Sequence, residues 1–387
     1  MTSFSLQVTR FGLGVLGRID AEKAGRAAFR IFCRTPSRKP KTKAYAARLQ
    51  KANTELGQAK RLDLIIDRGL IATYLFEPKV PAGRTSLVVH GWGSRTADMM
   101  TIIRELVARG ERVVSLDLPG HGASAGHTLN MIQAIAAVDV AWRQYGPFNA
   151  MIGHSFGGAV IINAAAGSVR CYGSHRPAKL VTIASPHSMA GVFDGFGKVL
   201  GLGRDARNAM KEQVRYIAAR PITDFDTDVL LRRMTIPTLV VHAHDDKEVP
   251  AICAEMVGKA GSHVTVRWAD GLGHRRIIAS AEVASIVADY LDDAPGLRLV
   301  AWSCFAGNKF VPRCHGALRR CCKVCSRSTV ARKNGHAVLY RCIKGCHRFA
   351  VDRHGYVAVA NAAFEPLFQD FDIGLAVFAQ HVADFVA

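Results

Sequence analysis

The residues of this chain with the clearest chemical potential form a Gly-x-Ser-x-Gly pattern, 153–157, with Ser155 at its centre. The apolar run 148–152 before them predicts a short buried strand, and the alanine-rich run 158–166 after them predicts a helix. Small residues on both sides of the serine permit a sharp turn, because larger side chains there would strike the neighbouring elements. Such a turn holds the hydroxyl at a helix start, where the positive end of the helix dipole favours developing negative charge. The pattern indicates a nucleophilic serine; the alternative is an ordinary helix N-cap.

A serine hydroxyl becomes a useful nucleophile only when a base takes its proton and a third group orients that base. The apolar run 236–242 predicts a buried strand, and Asp245 and Asp246 follow its end. The run 264–268 predicts another strand, and a glycine-flanked loop carries His274 after it. Because the carboxyl ends of parallel strands meet at one edge of a sheet, we expect His274 to lie near the serine. Adjacent residues of an extended segment point in opposite directions, so only one of the two aspartates can face this histidine.

Two further predicted strands end in glycine-rich turns. The run 86–89 is followed by His-Gly-Trp-Gly at 90–93, and the run 112–116 by Asp-Leu-Pro-Gly-His-Gly at 117–122. With the serine turn and the two downstream segments, these motifs occur in the order found in the α/β-hydrolase family, which the chain resembles over residues 62–293. The resemblance implies an α/β-hydrolase fold, with a mostly parallel central sheet flanked by helices.

In that family the backbone amides after the His-Gly pair and after the nucleophile form the oxyanion hole, which the resemblance places on Trp92 and Phe156. The family pattern Asp-x-x-Val-Pro selects Asp246 over Asp245 as the acid, and Gly-x-Gly-His places the base on His274. A serine nucleophile implies acyl transfer: attack on an ester, thioester or amide carbonyl, an acyl-enzyme, then hydrolysis. No cofactor or metal is expected for this chemistry. An acyltransferase would use the same residues with an alcohol as the acceptor.

Three other histidines lie in these motifs, and we expect them to have structural roles. His90 and His121 are expected to brace their loops through hydrogen bonds between ring and backbone, and His154 to pack beneath the serine turn. Asp117, which opens the second glycine-rich turn, has the same structural interpretation.

The segment 189–235 lies between the predicted strands 180–184 and 237–241, where this family carries its cap. Its length is enough for two or three short helices. Apolar residues of its first half, such as Phe193 and Phe196, either line an acyl pocket or pack on the core. The first alternative favours a small-molecule ester with a small to medium apolar acyl group. Nothing in the sequence identifies the alcohol.

Residues 1–61 form a basic segment that is predicted to be helical. Residues 1–62 hold 14 Lys and Arg against 3 acids, in a chain whose formal net charge is +20. A basic amphipathic helix either docks on the hydrolase domain, predicted to span 62–296, or makes peripheral contact with an anionic membrane. No apolar run reaches the roughly 18 residues of a transmembrane helix, and the segment lacks the pattern of a secretory signal. The sequence therefore favours a cytoplasmic protein with reduced cysteines.

Residues 297–387 form a Cys- and Arg-rich extension beyond the predicted hydrolase domain. The segment 298–353 is either a zinc module, another small module or a sequence without a selected fold. A zinc module rich in arginine would bind nucleic-acid phosphates, so the alternative function is a nucleic-acid-binding protein with the hydrolase fold as its scaffold. Four cysteines approximate a zinc ribbon, although the second pair is spaced one residue too far apart: Cys322, Cys325, Cys342 and Cys346.

Overall fold

The computed structural model describes residues 4–292 and two short strands, Ala331–Lys333 and His336–Val338. These two strands pair antiparallel with each other, with His336 opposite Lys333. The rest of 297–387 lies outside the described residues, including the four candidate zinc-binding cysteines and the predicted nucleic-acid-binding surface.

One sheet of eight strands organises residues 4–292. Its strands are β1 (Lys60–Ile66), β2 (Gly69–Phe76), β3 (Thr85–Val89), β4 (Arg112–Leu116), β5 (Ala150–His154), β6 (Lys179–Ile183), β7 (Thr238–His242) and β8 (Val264–Trp268). Their order across the sheet is β1-β2-β4-β3-β5-β6-β7-β8. β1 and β2 pair antiparallel with each other, and β2 pairs antiparallel with β4. The other neighbouring strands, in the order β4-β3-β5-β6-β7-β8, all pair in parallel, which confirms the predicted mostly parallel sheet.

Helices cover both faces of this sheet. They are α1 (Phe4–Ile19), α2 (Ala21–Cys33), α3 (Lys43–Leu56), α4 (Met100–Ala108), α5 (Met131–Tyr145), α6 (Phe156–Ala166), α7 (Met189–Val199), α8 (Arg204–Ala218), α9 (Thr227–Leu231), α10 (Ile252–Gly258), α11 (Gly273–Arg276) and α12 (Ala281–Asp292). The predicted cap segment, 189–235, contains α7, α8 and α9.

The central strands consist mostly of apolar residues, as suits strands with helices packed on both faces. β5, β6 and β7 are fully buried, as is typical of parallel strands covered on two sides. Adjacent residues of β3 enter different hydrophobic clusters: Val89 packs with residues of α5 and α6, and Val88 with residues of α4 and α12. With both faces of the sheet covered, the loops at its carboxyl edge are left to form a site.

The strand before the serine differs from its predicted range. β5 begins two residues later than predicted and continues to His154, because its pairing with β6 extends to His154 opposite Ile183. α6 begins two residues earlier than predicted, at Phe156. Ser155 therefore stands alone between the strand and the helix.

The N-terminal segment, 1–61, forms three helices, and a single residue separates α1 from α2. The break is at Asp20, whose carboxylate accepts a hydrogen bond of 2.8 Å from the backbone N–H of Lys23 and so caps α2. α2 packs closely on α8 of the cap, since a methyl group at Gly25 would lie 2.6 Å from the backbone nitrogen of Met210. Of the two alternatives for this segment, docking on residues 62–296 holds for α2, which packs on α8. Within the described residues, no helix combines the length and apolar character needed to cross a membrane.

Candidate active site

Ser155 occupies a sharp turn between β5 and α6, with φ 51° and ψ −123°. A positive φ is unfavourable for a residue other than glycine, so the surrounding packing must hold this conformation. The motif glycines allow that packing: a methyl group at Gly153 would lie 2.4 Å from the carbonyl oxygen of Gly157. A methyl group at Gly157 would lie 2.4 Å from the carbonyl oxygen of Val89. The motif is therefore required by the close approach of β3, β5 and α6.

A chain of hydrogen bonds begins at the Ser155 hydroxyl. The side chain of Ser155 makes no hydrogen bond that caps α6, so the interpretation of Ser155 as an ordinary helix N-cap is wrong. Oγ of Ser155 lies 3.1 Å from Nε2 of His274, and Nδ1 of His274 lies 2.8 Å from Oδ2 of Asp246. An ionised carboxylate only accepts hydrogen bonds, so Nδ1–H of His274 donates to Asp246, and Nε2 can accept a hydrogen bond from the serine hydroxyl when it carries no proton.

Asp246 accepts hydrogen bonds from two backbone amides as well as from the imidazole of His274. Its Oδ1 accepts hydrogen bonds of 2.8 Å from the backbone N–H groups of Glu248 and Val249, and its side chain is fully buried. Burial raises the pKa of this carboxyl, but the hydrogen bonds from His274 and from the two amides lower it by more. The net pKa lies below its ordinary value, so Asp246 is ionised at neutral pH.

Asp245 has a different partner. It is exposed, and its Oδ1 accepts a hydrogen bond of 2.8 Å from the backbone N–H of Gly271. The two adjacent carboxylates therefore have different partners, and they lie in a turn that is closed by a hydrogen bond from the backbone N–H of Asp246 to the carbonyl of Ala243. Asp246 orients the imidazole, and Asp245 ties its own loop to the loop that carries His274.

The backbone amides of Trp92 and Phe156 lie in two segments that meet at the serine. Phe156 is the first residue of α6, and Trp92 belongs to the loop after β3. Within residues 4–292 neither N–H donates to another protein group, so both can donate to a ligand. A methyl group at Gly91 would lie 2.9 Å from Cβ of Ser155, so the loop and the turn can meet only because residue 91 is glycine.

His90 and His121 brace their loops, as predicted. The backbone N–H of Leu118 donates to Nε2 of His90, and that of Gly93 donates to Nε2 of His121, both at 2.9 Å. Burial lowers the pKa of His90 to about 4 and that of His121 to about 3. Both rings are therefore neutral near pH 7, as their role as hydrogen-bond acceptors requires. Asp117 is structural as well, since its Oδ1 accepts a hydrogen bond of 2.7 Å from the backbone N–H of Thr96.

Two more side chains lie around the imidazole of His274. His154 lies beneath the turn, as predicted, and its Nε2–H donates to the backbone carbonyl of His274 at 3.0 Å. Glu248 was not predicted from the sequence: its Oε2 lies 3.9 Å from Nε2 of His274. Its Oε1 accepts a hydrogen bond of 2.6 Å from Nε of Arg275. No signal in the sequence indicated this contact, because residues 247–249 form a bend whose course depends on the hydrogen bonds to Asp246.

A narrow apolar pocket opens beside Trp92 and Phe156; its cavity volume is about 30 Å³, and the larger empty space of about 470 Å³ includes open solvent. The cap contributes Phe193, so the predicted pocket-lining role of this residue agrees with the structure, whereas Phe196 packs in the core behind it. The N-terminal helix α2 also lines the pocket, through Phe29 and Phe32. Their contribution was missed because helical spacing shows that a face is apolar but not what it contacts.

Comparisons with known proteins give relatives of low identity. The chain is similar to a non-heme haloperoxidase of Rhodococcus erythropolis, with 28% identity over 264 residues that cover 55% of this chain and 93% of the relative. It is also similar to a non-heme chloroperoxidase of Burkholderia pyrrocinia, with 26% identity over 246 residues, covering 50% of this chain and 86% of the relative. Among solved structures, the esterase RhEst1 from Rhodococcus sp. ECU1013 matches with a TM-score of 0.46 and 18% identity, over 61% of this chain and 98% of the other.

The model of the alpha/beta hydrolase family matches residues 87–286, just over half of the chain. This range begins within β3, ends within α12 and contains the serine turn, the cap and the loops of Asp246 and His274. The chain therefore belongs to the alpha/beta hydrolase family.

Proposed function

We propose that this chain is a serine hydrolase that cleaves a carboxylic ester or thioester of a small to medium apolar acyl group. The observation that carries the proposal is the hydrogen-bonded chain from Ser155 through His274 to Asp246, with distances of 3.1 Å and 2.8 Å. The amides of Trp92 and Phe156 and the apolar pocket beside them support it further.

Acylation uses each of these groups. Nε2 of His274 takes the hydroxyl proton while Oγ of Ser155 attacks the carbonyl carbon, and Asp246 stabilises the imidazolium that forms. The carbonyl oxygen becomes an oxyanion, which accepts hydrogen bonds from the N–H groups of Trp92 and Phe156. The tetrahedral intermediate then expels the alcohol or thiol, which leaves with the proton from His274. The acyl group remains bonded to Ser155.

Deacylation reverses these roles with water. Nε2 of His274 takes a proton from a water molecule while the water oxygen attacks the acyl carbon. The second oxyanion accepts hydrogen bonds from the same two amides. Collapse breaks the bond to Ser155, whose oxygen recovers a proton from His274, and releases the carboxylic acid. An acyltransferase would place an alcohol where this water stands.

In this proposal the two parts of the substrate lie on opposite sides of Ser155. The leaving group must reach Nε2 of His274, so it lies on the side of Glu248 and Arg275. The acyl group then extends towards the apolar pocket. Each methylene buried there contributes about 0.8 kcal/mol to binding.

A fluorophosphonate probe tests the proposal, because it reacts with an activated serine whatever the natural ester is. We expect the label on Ser155 by peptide mass mapping, and loss of both labelling and p-nitrophenyl butyrate hydrolysis in Ser155→Ala. Ser94→Ala is the matched control, since Ser94 lies in the neighbouring loop and its hydroxyl bonds to Asp98 at 2.9 Å. A wild-type protein without label on Ser155 contradicts the proposal.

The names of the two curated relatives favour a second candidate, halide oxidation. Hydrogen peroxide in place of water would break the acyl bond to Ser155 and form a peracid, which oxidises halide and returns the carboxylic acid. For this candidate we expect halogenation of monochlorodimedone only with hydrogen peroxide and a carboxylic acid both present. Halogenation that persists in Ser155→Ala excludes this route.

A further inference from the structure

The pocket beside the serine has two walls that come from distant parts of the chain. Phe193 belongs to the cap, and Phe29 and Phe32 belong to α2 of the N-terminal segment. Trp92 and Phe156, whose amides are the proposed oxyanion donors, line the same pocket. The N-terminal wall lies outside residues 87–286, the range that matches the family.

Phe32 is at the centre of this wall. Its ring centroid lies 4.5 Å from that of Phe193, 5.1 Å from that of Phe196 and 5.8 Å from that of Trp92. It therefore contacts the cap on one side and the loop of the proposed oxyanion hole on the other. Aromatic rings at these separations pack in direct contact and leave little free space between them.

The helix that carries Phe32 is firmly seated on the domain. Ala24 and Ala28 of α2 are fully buried, and Gly25 lies against the backbone of Met210 in α8. Small residues on the contact face let the two helices approach closely, so α2 cannot shift without losing this packing.

The segment after α2 is tied to the loops at the carboxyl edge of the sheet. The guanidinium of Arg38 donates to the carbonyl oxygens of Gly120, Gly122 and Gly126, at 3.2, 3.3 and 2.7 Å. This loop also carries His121, which accepts from the backbone N–H of Gly93 beside Trp92. Residues 29–38 are thus anchored at both ends, by helix packing and by the Arg38 hydrogen bonds.

We infer that residues 29–38 act as a second cap, in which Phe32 closes the apolar end of the pocket and limits the length of the acyl chain. The inference rests on the proposed function only for the identity of the ligand, because the wall itself is a feature of the fold. Removing the ring opens space beyond the present end of the pocket. Each additional methylene that enters it strengthens binding about fourfold, the equivalent of ~0.8 kcal/mol.

Binding without turnover tests this inference separately from catalysis. In a Ser155→Ala background, we measure the dissociation constants of saturated fatty acids from butyrate to tetradecanoate by tryptophan fluorescence. With Phe32 intact, we expect affinity to stop rising at a short chain. With Phe32→Ala added, it should continue to rise about fourfold per methylene over longer chains.

Two further variants keep the test decisive. Phe11→Ala is the control for losing a phenyl ring, since Phe11 lies on α1 and is 76% exposed; its chain-length profile should match that of the background. Phe193→Ala removes the facing ring without changing the N-terminal segment, and thermal unfolding reports whether each variant is folded.

If a folded Phe32→Ala protein keeps the original profile while Phe193→Ala changes it, the family cap alone sets the length and the inference is overturned. If Phe32→Ala does not fold, Phe32→Leu, which keeps part of the apolar volume, must shift the profile in the same direction.

These outcomes also separate the inference from the proposed function. Absence of fluorophosphonate label on Ser155 would refute the hydrolase, yet a Phe32-dependent shift in the binding profile would still establish the second cap. Label on Ser155 with an unchanged profile would leave the hydrolase standing and refute the second cap.

Discussion

The two sides of Ser155 are built from different kinds of contact. On the side of His274, directional hydrogen bonds of 2.8 to 3.1 Å fix each polar group, including Asp246. On the side of the pocket, the rings of Phe32 and Phe193 pack with no directional bond between them. A hydrogen bond restricts distance and angle closely, whereas apolar packing restricts mainly volume and shape.

This difference separates the proposed chemistry from the proposed specificity. The polar side lies entirely within residues 87–286, which match the family. The apolar side needs residues 29–38 as well, which lie outside that match. A change on the polar side should therefore reduce the reaction for every ester, and a change on the apolar side should alter which ester reacts.

The largest effect is expected for His274→Ala. Without the imidazole, no group takes the proton from Ser155, and loss of such a base lowers kcat by about 10⁶-fold in serine hydrolases. Measurement of p-nitrophenyl ester hydrolysis at several acyl lengths checks this, and the loss should be equal at every length. Full activity in a folded His274→Ala protein would show that His274 is not the base of the reaction.

Next is the pair Asp246→Asn and Asp245→Asn. Asparagine keeps the size of aspartate but no longer fixes Nδ1–H of His274, so Asp246→Asn should lower kcat by about 10⁴-fold. Asp245→Asn is its matched control and should change kcat by less than about threefold, because Asp245 bonds to a loop amide and not to His274. Equal losses in the two variants would contradict the assignment of Asp246.

Acid should weaken both sides together through three buried histidines. Burial lowers the pKa of His90 to about 4, of His121 to about 3 and of His154 to about 3, against about 6.5 in an unfolded chain. The unfolded state therefore binds more protons than the folded state below pH 6.5. The contribution of these histidines to the free energy of unfolding is fully present above that pH. It is lost as pH drops towards 4, by up to about 4 kcal/mol per pH unit.

Urea unfolding from pH 7 to pH 4.5 measures this slope. His121→Asn should reduce the slope of the free energy of unfolding against pH by about 1.4 kcal/mol per pH unit. This is the contribution of one proton, because the unfolded chain then has one imidazole fewer to protonate. A stability that does not change across this range would show that these rings are protonated in the folded protein.

The smallest effect is expected for Arg38→Ala, which removes the anchor of residues 29–38. Loss of its hydrogen bonds to Gly120, Gly122 and Gly126 should lower the free energy of unfolding by about 1–3 kcal/mol. Arg26→Ala is the control, since Arg26 pairs with Glu22 on the exposed surface of α2, where such pairs contribute about 0–1 kcal/mol. Equal destabilisation of the two variants in urea would refute the anchoring role of Arg38.

Several features of the site could be predicted from the sequence because they depend on local order along the chain. The serine turn needs glycine at 153 and 157 wherever a strand, a turn and a helix meet this closely, so the motif itself indicates the backbone. The loops of Asp246 and His274 follow the strands β7 and β8, and parallel strands deliver their ends to one edge. The bracing roles of His90 and His121 were likewise predicted from their positions in glycine-rich turns.

Other features were decided only by tertiary structure. An apolar stripe on α2 shows that one face is buried, but α8 and Trp92 are brought against that face by folding over long distances in sequence. Glu248 reaches His274 across a gap between two loops whose separation no local pattern encodes. By itself the sequence therefore determined the proposed nucleophile, its base and the strands that present them, because these follow from periodicity and backbone sterics. The pocket wall was settled by the fold, because apolar packing is non-directional and accepts any surface of matching shape.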